Sequence, residues 1–236
     1  MRRPNGVAGA GPGTPLSSSI LPNLASKLWF AAFLITGTAD VLAELFNAKD
    51  LARVLIFLPM PMLFGYVLSR VRPKTALVRW LLAAIVFSWL GDAFGQETLI
   101  KIAFFAVAQV CYLLAFLPYW RESVLRRPQF LVLYAIATVA MIVFLLPYAT
   151  SLQLPVIIYA LLVGTMAVLA TGLGRLGTIG GLLFFASDTI LALMLFVPSL
   201  AFPGQGAAVM LTYLSAQAVL AIAVLAVNAL AVQRTG

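Results

Sequence analysis

The stretch FFASDTIL, Phe184 to Leu191, decides how this chain is read. An aspartate, Asp188, stands inside an apolar run long enough to cross a lipid bilayer. A second stretch, FSWLGDAF from Phe87 to Phe94, sets Asp92 in the same kind of surroundings. In hydrocarbon a charged side chain costs at least ~2.5–3.5 kcal/mol on insertion scales, so acids in such places point to function.

Composition makes lipid the solvent. Hydrophobic residues fill 63% of the 236 positions and charged residues 9%, against about 45–50% and about 25% in soluble domains. Mean hydropathy is +1.07. A soluble domain has too little interior to hide that much apolar surface. The net charge of +8 raises the question of a nucleic-acid partner. The basic residues, however, fall in short connectors between apolar runs, where they set topology and meet anionic membrane lipids. Nucleic acid is therefore set aside.

Residues 1–27, with their Gly, Pro and Ser, have no apolar period and read as a disordered cytosolic arm. Residues 28–236 read as one transmembrane domain. Its apolar runs lie near Leu28–Phe46, Leu51–Ser69, Leu77–Gln96, Leu99–Trp120, Phe130–Tyr148, Leu154–Thr171, Leu176–Val197 and Ala208–Val232. Each approaches the ~20 residues that a helix needs to cross the hydrocarbon. Backbone groups have no water to bond there, and the runs are too long and unalternating for strands, so each must be helical. The expected fold is all-α: a polytopic bundle of eight transmembrane helices. Placing most Lys and Arg inside, with only Lys49, Arg53 and Lys101 outside, puts both termini in the cytosol. An even number of spans requires the same. The expected location is a bacterial plasma membrane.

Local motifs refine this. Pro59 and Pro61 in LPMPML should kink the second span and free backbone carbonyls. GLGRLG, Gly172 to Gly177, has G-x-G-x-x-G spacing but no strand before it, so close helix packing by Gly177 and Gly181 is the better reading. The single cysteine, Cys111, reads as a packing residue. Histidine is absent, which removes His-dependent nucleophile schemes and His-based zinc sites. No metal or cofactor is expected.

Four acids lie within the runs: Asp40 and Glu44, Asp92, and Asp188. At 1.5 Å per residue, Asp188 comes out about 16 Å from Gly177, Asp92 about 22 Å from Leu77, and Asp40 and Glu44 about 18 and 24 Å from Leu28. Ser88, Gln109, Tyr112, Tyr159, Tyr213 and Gln217 fall at the same level on other spans. Spacings of i,i+3 or i,i+4 put Gln109 with Tyr112, Tyr213 with Gln217, and Asp40 with Glu44 on shared faces. Such a layer implies a wet cavity. Interhelical glue is the competing reading for each uncharged member, and a buried polar knot for the two aspartates.

At these residues the chain resembles the YhhN family, the lysoplasmalogenase-like integral membrane proteins. SWLGD (Ser88 to Asp92) resembles the family's S-x-x-G-D, GGLLFFASD (Gly180 to Asp188) its G-x-x-L-F-x-x-S-D, and TYLSAQ (Thr212 to Gln217) its Y-x-x-A-Q element. PVIIYALLVGTMAVLA (Pro155 to Ala170) completes the order. Two positions depart: Leu58 stands where the family usually has lysine before Pro59, and Gln109 stands where it often has histidine. The departures bear on substrate or activity.

The resemblance implies hydrolysis of the vinyl-ether bond of lysoplasmalogen, or of a related lysophospholipid or ether lipid. Vinyl ethers are cleaved by protonating the β-carbon, and water traps the oxocarbenium ion that results. Two carboxyl groups in one low-dielectric site can divide the acid and base roles. Asp188 is assigned as acid and Asp92 as base and ion stabiliser. Tyr112, Tyr159 and Gln109 are expected to orient water or the glycerol hydroxyl, and Gln217 and Ser88 to hold the carboxylates. Asp40 and Glu44 are further candidates. A proton-coupled transporter of lipid or small molecules, and a lysolipid-binding protein without catalysis, remain as alternatives.

Overall fold

The computed structural model describes residues 24–71, 75–95 and 97–235. Among them 88% are helical and none is in a strand. Nine α-helices follow in order: α1 Leu24–Leu45, α2 Lys49–Leu55, α3 Pro59–Arg70, α4 Ala76–Phe94, α5 Thr98–Phe116, α6 Pro128–Leu145, α7 Gln153–Ala170, α8 Gly174–Phe196 and α9 Gln205–Thr235. Seven stretches among the described residues are long and apolar enough to cross a membrane. The chain is an integral membrane protein.

Helices α2 and α3 form one such stretch, broken at Ile56–Leu58. Pro59 opens α3, where its missing N–H costs no hydrogen bond. The break leaves the Phe57 carbonyl free, and the indole N–H of Trp89 donates to it at 3.0 Å. The expected kink is there, and α4 answers the carbonyl it frees. Helices α7 and α8 count together as a single stretch, Thr150–Phe196, but fold back on each other at the short turn Thr171–Leu173. That turn and the first residues of α8 hold the GLGRLG motif. Gly174, at φ +80°, makes the reversal.

Helix α1 begins at Leu24, within the segment expected as an arm; the remainder of that segment lies outside the described residues. Helix α4 is capped by the Thr75 hydroxyl, which accepts from the Val78 N–H.

Small residues set how closely the helices approach. A Cβ at Gly180 would stand 2.7 Å from Cγ of Leu220, and one at Gly181 3.0 Å from Cβ of Ala170. Gly180 therefore seats α8 on α9, while Gly181 seats it on α7, as small residues do in membrane interfaces. Gly164 gives the same close fit to Thr138, which fastens α6 to α7. Otherwise α6 presents Phe130, Leu133, Ile136, Val139 and Val143 outward. With water excluded by composition, those side chains face lipid. The main core runs through α3, α4, α5, α7, α8 and α9, around Phe184, Tyr112, Leu81, Ile85 and Leu220.

Candidate active site

Phe184, the first residue of the deciding stretch, is fully buried and sits between two tyrosines. Its ring meets Tyr112 edge-on at 5.8 Å and Tyr213 at 5.8 Å between centroids. Tyr213 also meets Phe105 edge-on at 5.9 Å. Edge-to-face contacts at these distances fix ring orientation. They aim the hydroxyl of Tyr213 at one carboxyl group.

That carboxyl belongs to Asp92. The Tyr213 hydroxyl donates to Asp92 Oδ2 at 3.0 Å, linking α9 to α4. On the other side, the Tyr159 hydroxyl donates to Asp188 Oδ2 at 2.9 Å, linking α7 to α8. Asp188 is buried and Asp92 half-buried. The two aspartates line one cavity of about 130 Å³, together with Glu44, Lys101, Phe105 and Tyr213. The charge of Asp92 reaches Asp188 across it.

The residues around them explain why the motifs take their form. A Cβ at Gly91 would come within 2.7 Å of the Phe105 ring, so glycine before Asp92 makes room for a cavity wall. Ser187, beside Asp188, donates its hydroxyl to the Val209 carbonyl at 3.1 Å and fixes α8 to α9. The S-D pair thus divides its work: serine holds the helix and aspartate faces the cavity.

A second polar chain lies behind the aromatic cluster. The Tyr112 hydroxyl donates to Gln217 Oε1, and Gln217 Nε2 donates to Ser88 Oγ at 3.2 Å. All three residues are fully buried. The expected division is corrected here: tyrosines from α7 and α9 hold the carboxylates, while Gln217 and Ser88 hold Tyr112. Gln109 lies close to the Tyr159 hydroxyl, yet neither its amide nitrogen nor its oxygen has a hydrogen-bond partner of good geometry.

The two acids of α1 differ in placement: Asp40 is sealed within the bundle, while Glu44 reaches the cavity. Asp40 is 1% exposed, and neither carboxyl oxygen has a hydrogen-bond partner. Glu44 reaches the cavity, and its carboxyl lies against Gly206 in the first turn of α9. An anion is favoured at a helix N-terminus, so this contact also ties α1 to α9.

Beyond Asp188 the space continues. A second, almost wholly apolar cavity of about 40 Å³ is walled by Met141, Leu145, Val156, Leu195 and Phe196. It shares Lys101, Phe105, Asp188 and Leu191 with the first. A polar chamber and an apolar one therefore meet at Asp188.

The sequence model of the YhhN family matches residues 51–224, which takes in both aspartates and both tyrosine partners. The chain belongs to the YhhN family. No curated protein and no solved structure matches it. Asp40 and Glu44 on α1 lie outside the segment matched to the YhhN family.

Among residues inside the YhhN segment, sequence reasoning overlooked Lys101, Phe105 and Ser187. In sequence Lys101 reads as a connector charge, although it lies in the first turn of α5. Its place inside an apolar run was the available signal. Phe105 carried none, being one aromatic residue among many. No cluster of three or more Cys, Asp or Glu able to hold a metal occurs among the described residues.

Proposed function

We propose that this protein is an intramembrane lipid hydrolase that cleaves the vinyl-ether bond of lysoplasmalogen, or of a related lysolipid, with Asp188 as acid and Asp92 as base. One observation carries the reading. Two carboxyl groups from distant parts of the chain line a single cavity, each oriented by a tyrosine hydroxyl, where a polar chamber adjoins an apolar one.

The chemistry follows from that arrangement. The alkenyl chain of the substrate enters from the side of the apolar chamber and the glycerol lies in the polar one, which brings the vinyl ether to Asp188. Asp188 gives its proton to the β-carbon. The carbon–carbon double bond supplies the electron pair, and positive charge develops between the α-carbon and the ether oxygen. The carboxylate of Asp92 stabilises that charge and takes a proton from the water that attacks the α-carbon. The product of this step is a hemiacetal. Its hydroxyl proton returns through the carboxyl pair, the bond from the α-carbon to the glycerol oxygen breaks, and that oxygen leaves protonated. A fatty aldehyde and a glycerophospho-alcohol result, and both aspartates regain their starting states.

The membrane arrangement we infer is eight spans with both termini cytosolic, in a bacterial plasma membrane. Helices α7 and α8 then count as two crossings joined at Thr171–Leu173. The reading is supported by Lys27, Arg70, Arg79, Arg121, Arg126, Arg127 and Arg175, which gather at one set of helix ends, with Lys49, Arg53 and Lys101 at the other.

The test is aldehyde release from a panel of lysolipids by purified protein, followed by mass spectrometry. Asp92→Asn and Asp188→Asn should each abolish release while the protein stays folded. Full activity in either variant would sink the scheme. Tight lysolipid binding without turnover in the unmodified protein would favour a binding protein, and Asp188-dependent proton flux in liposomes a carrier.

A further inference from the structure

Three acids and one lysine line the polar chamber, and the lysine is within salt-bridge distance of none of them. Asp92 accepts from Tyr213, Asp188 accepts from Tyr159, and Glu44 rests against the first turn of α9. Lys101 lines both chambers, and its ammonium makes neither an ion pair nor a hydrogen bond among the described residues. Its charge is felt by Asp92, but at more than salt-bridge distance. The stem is held in place: a Cβ at Gly95 would fall 2.8 Å from Lys101 Cε and 2.9 Å from its Cβ. Glycine at the end of α4 thus leaves the channel in which the lysine lies. A half-buried lysine held at the cavity wall, with its donors not taken up by any carboxylate, is placed to receive an anion.

We propose that Lys101 binds the phosphate of the substrate's head group and so sets the preference for phospholysolipids over neutral glycerol ethers. This takes from the reading above that the site holds a lysolipid. Lysine serves phosphate as a point charge with three rotatable donors, which suits a diester whose orientation is set elsewhere by its chain. With the phosphate on Lys101 at the start of α5, the chain runs past Phe105 and Leu191 into the apolar chamber. The ether then falls beside Asp188. Lys101 positions the substrate; it exchanges no proton in the reaction.

The experiment uses lipids that cannot be cleaved, so that its outcome does not depend on catalysis. Binding of a saturated 1-O-alkyl-glycerophosphoethanolamine and of the neutral 1-O-alkylglycerol of equal chain length is measured in detergent, with full-length protein and Lys101→Gln. A charge-assisted hydrogen bond of ordinary strength predicts that the variant binds the phospholipid about 10- to 100-fold more weakly and the neutral lipid unchanged. Lys101→Arg should recover much of the loss, because it keeps the charge and the long stem. Equal weakening toward both lipids, or no weakening toward either, would overturn the assignment. Displacement of the alkyl phospholipid by inorganic phosphate at the lipid's own concentration would overturn it too, since the site would then serve the free anion. Failure of the wild-type protein to release aldehyde from a vinyl ether would fell the hydrolase reading alone and leave this binding comparison standing.

Discussion

Tyr213 on α9 donates its hydroxyl hydrogen to Asp92 on α4 across 3.0 Å, although the two residues are 121 positions apart in the chain. The tyrosine is itself clamped by Phe105 and Phe184. Asp92 is therefore oriented by a residue whose own rotation is fixed, which is how a carboxyl group is kept aimed within a cavity.

Removing only the hydroxyl tests this. Tyr213→Phe keeps the ring contacts and deprives Asp92 of its donor; Tyr159→Phe does the same to Asp188. A hydrogen bond to an ionised or ionisable carboxyl group is worth about 1.5–3 kcal/mol. Aldehyde release should fall about 10- to 100-fold in each variant, with little change in the thermal midpoint in detergent. Unchanged kcat in both would show that the tyrosines serve packing alone.

Gly91→Ala probes the wall of the chamber. The added methyl meets the Phe105 ring at 2.7 Å, and overpacking of this order costs about 1–3 kcal/mol. Phe105 can yield only by turning into one of the two chambers it lines. We predict a lower thermal midpoint together with a raised KM for lysolipid. A midpoint within error of the parent would mean that the ring has room to move.

Asp40 offers the opposite kind of test. It is buried with both carboxyl oxygens unpartnered, and such burial costs about 1–3 kcal/mol for each unmet polar group. Asp40→Leu, similar in size and apolar, should raise the thermal midpoint in detergent. A fall would reveal that the carboxyl is stabilised by water or by a neighbour. Loss of aldehyde release alongside a higher midpoint would mark Asp40 as a group kept for function at the expense of stability.

Crossing number can be read with cysteine chemistry. Cys111 is buried and can be replaced by alanine, leaving a background without thiols. In that background Arg175→Cys should react with a membrane-impermeant maleimide only from the cytosolic side, and Ser199→Cys only from the outside. Both positions are exposed. Labelling of both from one side would refute eight crossings.

How much of this was written in the sequence differs from feature to feature. The helices were legible because lipid permits little else to an apolar run of that length. The break at Ile56–Leu58 was legible in Pro59, whose ring cannot continue a helix from the preceding turn. Counting residues places Asp188 near the middle of its apolar run and Asp92 toward the far end of its own. Which donor meets which acid did not, because it depends on helix rotation. Rotation is set by contacts such as Gly91 with Phe105 and Gly180 with Leu220, and no single-helix pattern reports them. In sequence Gln217 reads as a carboxylate holder. The bundle instead turns it toward Tyr112 and Ser88. Lys101 reads in sequence like the cations near helix ends that set topology.

The meeting of two unlike chambers at Asp188 has a further consequence for turnover. On the proposed reaction, a bond severed at that junction would leave an oily fragment among Met141, Leu145 and Phe196, and a water-seeking fragment beside Lys101 and Glu44. Each fragment is then already in the compartment it prefers. On the proposed reaction the two products would then leave by different sides, the oily one along α6, which lines the apolar chamber, and the other from the polar chamber.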